Sequence, residues 1–416
     1  TNIKSTMIKK IILGSLFLFS LHTFAQEGTA SPYSSYGIGE IKFKGTTENR
    51  SMGGLGIVND SIHINLQNPA SFSSLRLTTF TVGGTYTPSK LKTAEEEEKA
   101  KRTSFDYLAM SFPVSKKLGV SLGLMPYSAV GYKIVNVTDT EGTKFTGVGN
   151  VNRFFAGAGY QITKQLSIGA DMSYNFGRIE KNAVFLSSDL QFGTREMNIS
   201  ELNGLTFKTG LSFKAKINKY DLTSGLTFSP TSILKTDNTR NIAKITYTPS
   251  GAEIVWDSRD VEVPNSAIRL PSKLAFGAGI GLDKKWYVGV ESTFSSKGNY
   301  GVSYPNASFE SASKIAMGGY YIPKYNSFSS YLNRVTYRAG LRYENTGLIV
   351  NSQSIKDRAL TLGLGMPIAG SLSNINIGVE FGKRGTVDAG LVQENYMNLS
   401  VGLSFNDRWF VKRKYD

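Results

Sequence analysis

His63 is the one imidazole in this chain that a catalytic relay or a metal site could use. The only other histidine, His22, falls in a stretch that reads as a cleavable leader, and cysteine is absent. Ser-His-Asp chemistry would need His63 as its base, yet no G-x-S-x-G elbow presents a nucleophile to it. Lack of cysteine removes thiolate nucleophiles, disulfides and thiolate metal ligands. A single histidine in a polar loop is expected to be solvated or hydrogen-bonded. The chain is therefore expected to hold no catalytic residue, no metal and no cofactor, and not to be an enzyme.

Two other patterns have bland readings. The glutamates of AEEEEKAKR at residues 94 to 102 lack EF-hand spacing and read as a solvated loop. The G-x-G pairs at 157–159, 277–281 and 363–365 are spaced by two with no helix following, so they are not dinucleotide fingerprints. They read as small positions where two stretches of backbone approach. What remains is a set of charges on one parity of extended segments: Asp171, Lys208, Lys214, Lys216, Glu291 and Glu380. Facing inward, these would dock a neighbouring segment through ion pairs, or hold a ligand carboxylate.

The elements that must position them have a period of two. From Gln165 to Gly177 the residues Leu166, Ile168, Ala170, Met172, Tyr174 and Phe176 alternate with polar and glycine residues. Leu205 to Ile217, Leu274 to Leu282 and Met397 to Phe405 repeat the pattern. Such segments exceed the five or six residues typical of sandwich strands, roughly, and a tilted strand of this length crosses an apolar layer. Beyond the leader no apolar run is long enough for a membrane helix, which leaves a closed, all-β transmembrane barrel as the spanning solution. Its apolar parity faces lipid and its polar, glycine-rich parity the lumen.

Tight basic turns (VSKKL, ITKQ, INKY, LDKKW) alternate with stretches read as long polar outer loops at 88–103, 129–150, 179–203 and 231–270. The segments add up to about fourteen antiparallel strands, and an even count places both chain ends in the periplasm. Trp286, Tyr287, Tyr320, Tyr321, Trp409 and Phe410 fall at strand ends, as interfacial aromatics do.

The N-terminus agrees with export. Met7, Lys9, Lys10, the run IILGSLFLFSL and the small residues Thr23 and Ala25 make residues 7–25 a secretory signal peptide, with cleavage before Gln26. Thr1 to Thr6 stand upstream of it. The net charge of +15 fits an anionic membrane surface better than nucleic acid, which an exported protein seldom meets. No nucleic-acid partner is expected; outer-membrane lipid is. The expected organisation is a signal peptide, a segment at 26–75, a barrel at 76–410, and a basic periplasmic tail at 411–416.

Residues 26–75 fit no strand pattern. Gly53, Gly54 and Gly56 permit tight backbone packing, and Asn68-Pro69-Ala70 reads as a turn. With Ile38, Ile41, Met52, Leu55, Ile57, Val58, Ile64 and Leu66, this segment is too apolar for a loose tail and reads as a plug in the lumen. The run SMGGLGIVNDSIHINLQNPASFSSL resembles the N-terminal hatch of the FadL-type long-chain fatty-acid channel family. GAGYQITKQLSIGADMSY and LPSKLAFGAGIGLDKKWYVGVEST resemble that family's paired strands. SPYSSYGIGE and NDRWFVKRKYD are similar to the Bacteroidota version, whose members include subunits of protein-export machines.

The resemblance implies a hatch-gated barrel in the Gram-negative outer membrane that passes hydrophobic or amphipathic, fatty-acid-like molecules. It makes Gly53, Gly54, Gly56, Asn68, Pro69 and Ala70 the hatch and gate. The leading expectation is passive uptake of a hydrophobic small-molecule ligand. The alternative is a non-transporting accessory subunit of an outer-membrane export or assembly complex, with an envelope protein as partner. A continuous apolar lumen favours the first, a filled lumen with apolar residues on the outer extensions the second.

Overall fold

The computed structural model describes residues 28–301 and 304–408. The expected leader (7–25) and basic tail (411–416), with Trp409 and Phe410, lie outside the described residues.

Fourteen antiparallel strands close into one barrel. They are β1 (Thr78–Lys92), β2 (Glu97–Pro113), β3 (Leu118–Val137), β4 (Glu141–Gln161), β5 (Leu166–Ser187) and β6 (Gly193–Ile217). β7 comes in two pieces, Tyr220–Ser229 and Ser232–Tyr247, and β8 in three, Glu253–Val261, Ser266–Leu270 and Lys273–Leu282. Then follow β9 (Trp286–Ser295), β10 (Ala307–Phe309 and Ala312–Tyr321), β11 (Thr336–Val350), β12 (Gln353–Pro367), β13 (Asn374–Arg384) and β14 (Gln393–Asp407). β14 pairs with β1, from Gln393 opposite Lys92 to Asp407 opposite Thr78. Closure satisfies the backbone polar groups that lipid cannot.

Side-chain parity explains why the wall stands in lipid. Leu205, Phe207, Leu211 and Phe213 of β6, Leu226 and Phe228 of β7, and Leu274, Phe276 and Ile280 of β8 are all exposed on the outer face. So large an apolar band belongs in a membrane. On the opposite parity Asp171, Ser173, Asn175 and Ser212 are buried inside.

The structure corrects three expectations. The stretches 88–103, 129–150, 179–203 and 231–270 are mostly strand, with hairpin tips at 93–96, 138–140, 188–192 and 248–252. Alternation of apolar residues records a lipid face and fades above the membrane, while backbone pairing continues without it. Tyr287 and Tyr320 turn inward and stack on each other, centroids 5.9 Å apart. Their neighbours Trp286 and Tyr321 are on the outer parity, because adjacent strand residues point to opposite faces. The Asn-Pro-Ala stretch, expected as a simple turn, opens a short 3-10 helix, Pro69–Ser74.

Two further features shape the interior. β3 to β8 continue past the rest of the wall as an open sheet, β3 to β6 being 20 to 25 residues long. The β2–β3 seam is paired only between Leu108–Pro113 and Gly119–Leu124. Farther up, β3 takes a two-residue strand of the N-terminal segment, Glu40–Ile41, onto its free edge opposite Ala129 and Ser128. The even strand count brings the start of β1 and the end of β14 to one end of the barrel. The first described residues lie toward the other: Ser31 Oγ donates to Glu394 at the far end of β14, and Arg102 Nε of β2 donates to the Thr29 carbonyl at 3.2 Å.

Candidate functional site

Residues 28–77 touch the inner face of nearly every part of the wall, and these contacts are the site. Glu40 and Lys44 of the segment meet Arg384 and Asp357, which sit opposite each other on β13 and β12. Arg384 Nη2 donates to Glu40 Oε1 at 2.8 Å, and Lys44 Nζ to Asp357 Oδ2 at 3.1 Å. The exchange is reciprocal, each side contributing one cation and one anion. Arg342 of β11 extends it, donating to Glu380 at 2.8 Å and to the Tyr396 hydroxyl at 3.1 Å. The Tyr396 hydroxyl in turn donates to Asp357 Oδ1 at 2.6 Å. Arg342 and Asp357 side chains are each only 1% exposed. Charges this deep need both a counter-charge and full hydrogen bonding.

A second anchor is Arg50, on the short helix Thr47–Arg50, which donates to Asp106 at 2.9 Å and Thr85 at 3.0 Å. On the same helix Glu48 accepts from Asn376 of β13 at 2.7 Å. The third anchor lies across the lumen, where Lys208 Nζ reaches both Asp171 (2.9 Å) and the Leu66 carbonyl (3.0 Å). The Gly56 amide donates to Glu291 at 2.6 Å. These wall charges satisfy segment backbone that lies out of reach of bulk water.

The expected glycines and the Asn-Pro-Ala stretch are positioned by close approach. Gly53 and Gly54 adopt φ of 72° and 85°, a region favouring glycine. The Gly53 amide donates to Thr361 at 2.9 Å. Asn68 caps the 3-10 helix, its Oδ1 accepting from the Ala70 amide at 3.0 Å while its Nδ2 donates to the Leu211 carbonyl of β6 at 3.0 Å. Pro69 provides the fixed φ suited to the first helical position, and Ala70 is fully buried. On the wall beneath, a side chain at Gly169 would collide with the Pro69–Ala70 backbone. Of the G-x-G positions, Gly159 and Gly363 face the segment, whereas Gly157, Gly277, Gly279 and Gly281 abut neighbouring wall residues.

Among the parity charges, Asp171, Lys208 and Glu291 meet the segment directly, and Glu380 acts through Arg342. Lys214 and Lys216 are exposed near the β6–β7 turn, away from it. Sequence reasoning passed over Arg50, Asp106, Arg342, Asp357, Arg384 and Tyr396. The signal for Asp357 and Arg384 was present: charged residues on the inward parity of strands whose outward parity is apolar. The mates Glu40 and Lys44 lie more than 300 residues away in sequence and carry no local signature.

His63 is hydrogen-bonded, as expected of a lone histidine: Nδ1 meets Asp60 Oδ2 at 2.6 Å, with Glu48 3.9 Å from Nε2. Burial works against the imidazolium, but the charge and hydrogen bond of Asp60, with Glu48 behind, raise the His63 pKa above its ordinary value. Burial likewise disfavours the Asp60 carboxylate, yet His63 holds its pKa down to about 2.

A cavity of about 370 Å³ remains beside the segment, lined by Lys208, Lys273, Lys314, Glu291, Arg342 and Tyr300 among others. Its lining is largely polar and charged. Among the described residues Lys314 pairs with Glu291 at 3.7 Å, while Lys273 has no hydrogen-bond or ion-pair partner.

Two predictions follow from this geometry. Arg342→Met leaves Glu380 and Asp357 short of a counter-charge and should cost about 3–5 kcal/mol, read as a lower midpoint in denaturant unfolding from vesicles. For His63, the raised folded pKa means its contribution is complete below the free imidazole value of about 6.5 and is lost as pH climbs through the folded pKa. Stability should therefore fall on going from about pH 6 to pH 8. His63→Gln should flatten that slope, and an unchanged slope would show that the ion pair adds nothing.

The BamG family profile matches residues 7–416. No curated protein matches the chain. Among solved structures, the toluene transporter TbuX of Ralstonia pickettii is similar with a TM-score of 0.59 and 14% identity, covering 87% of this chain and 98% of its own. A FadL homologue of Pseudomonas aeruginosa has a TM-score of 0.59 at 12% identity, covering 88% and 100%. The Pseudomonas putida toluene transporter TodX has a TM-score of 0.57 at 16% identity, covering 88% and 98%. At such identities the shared property is the fold, that of FadL-type outer-membrane hydrocarbon channels. With a profile match over nearly its whole length and a closed lipid-facing barrel, this chain belongs to the BamG family.

Proposed function

We propose that this barrel is a non-transporting accessory subunit of an outer-membrane protein-export or assembly complex, in which residues 28–77 form a permanent plug. The observation that carries the reading is the buried charge exchange of Glu40 and Lys44 with Arg384 and Asp357, joined by Arg50 with Asp106. Releasing the plug would break three buried pairs, at about 3 kcal/mol each. A cost near 9 kcal/mol holds the released state to roughly one molecule in a million, since about 1.4 kcal/mol is tenfold. That population suits a sealed scaffold and opposes a working gate. Membership of the BamG family agrees with this reading, as do the apolar residues exposed on the sheet extension, such as Trp256 and Leu190.

One observation favours a second reading, uptake of an amphiphile. TbuX and TodX are titled toluene transporters. Here the unpartnered Lys273 shares its cavity with Tyr127, Tyr300 and Phe309, a lining suited to an anionic head and a short apolar body.

Native mass spectrometry of the protein extracted mildly from its own membrane separates the two. The scaffold reading predicts a stoichiometric protein partner and an empty barrel. A lone barrel carrying a bound amphiphile of acyl-chain mass would overturn it in favour of uptake.

A further inference from the structure

The sheet extension has two free edges, and the chain treats them differently. At β3 the edge is capped by addition of the Glu40–Ile41 strand. At β8 the piece Glu253–Val261 pairs with β7 alone, leaving its other side bare among the described residues. Eight of its nine residues are exposed on both faces, and it reads EIVWDSRDV, free of proline and glycine. Natural sheets blunt such an edge with short length, charge or covering, and this one is long and carries Ile254, Val255 and Trp256.

Trp256 is the residue around which the pairing shifts register, the place where a bulge re-aims a side chain. It is 62% exposed yet held in place. Its Nε1 donates to Thr246 Oγ1 at 2.9 Å, and its ring meets Phe192 edge to face at 5.6 Å. Lys244 lies over the Phe192 ring, 4.0 Å from its centroid. An exposed tryptophan whose orientation is already fixed loses little freedom on binding, the property of an interface anchor.

We propose that the Glu253–Val261 edge of β8 receives an extended strand from a different envelope protein, with Trp256 as its side-chain anchor. The inference rests on the scaffold reading above. Chemistry selects the occupant: a row of unpaired N–H and C=O groups at strand spacing is complemented by another peptide strand, whereas lipid offers nothing to match it. The capped β3 edge shows that this sheet accepts such an addition.

The test uses the complex purified from its own outer membrane through a tag on this chain. Amide exchange of the peptide spanning Glu253–Val261 is measured in the complex and after the partner is stripped away. Strand addition predicts exchange at least tenfold slower in the complex, regained on stripping. Trp256→Ala should lower the recovered partner at least tenfold, while Val137→Ala on the opposite edge leaves it unchanged, both variants keeping the heat-dependent gel mobility of a folded barrel. Equal exchange in both states with the partner present would overturn the proposal and leave the scaffold reading standing. A complex made only of copies of this chain would overturn the choice of partner. Absence of any protein partner from the wild-type preparation would overturn both proposal and reading.

Discussion

Glu40 and Lys44 face Arg384 and Asp357 across the lumen, and much of the interior is organised around that exchange. Two opposite charges side by side on the wall are costly in a space withdrawn from bulk water unless matched. The N-terminal segment matches them in reverse order, within hydrogen-bonding distance. Arg342, Glu380 and Tyr396 complete the hydrogen bonding of Asp357, so the wall is built around the segment as much as the segment is shaped to the wall. Replacing either partner alone strands a buried charge, which makes the arrangement resistant to piecemeal loosening.

The remaining contacts complete the arrangement. Lys208 and Glu291 serve segment backbone directly, one taking a carbonyl and the other an amide. Glycines in the wall let backbone meet backbone beneath Pro69 and beside Gly53. The outer face carries the apolar band, so the same strands read lipid on one parity and the segment on the other. Above the band that division ends, and the β3–β8 extension exposes aromatic and charged residues together.

Much of this was legible from the residues. Alternation over Leu166–Phe176 and Leu205–Ile217 records a lipid face, and that face determined the fold class and strand number. Asp171, Lys208, Glu291 and Glu380 stood out because charge on the lumen parity needs a partner. The continuation of β5 through Ser187 and of β7 through Tyr247 was hidden, because above the membrane neither face is apolar and pairing leaves no periodic trace. The inward turn of Tyr287 and Tyr320 was missed by treating aromatic pairs as units, although adjacent residues in a strand face opposite ways. The matching of Glu40 to Arg384 is a property of three-dimensional closure, and no local pattern encodes it.

The measurement that bears most directly on the sealed lumen is conductance of the purified full-length protein in planar bilayers, beside a variant lacking residues 28–77. The account predicts a silent wild type and stepwise pore currents from the variant. Frequent open steps from the wild-type protein would contradict it, since a segment held by three buried ion pairs cannot leave the lumen on that timescale.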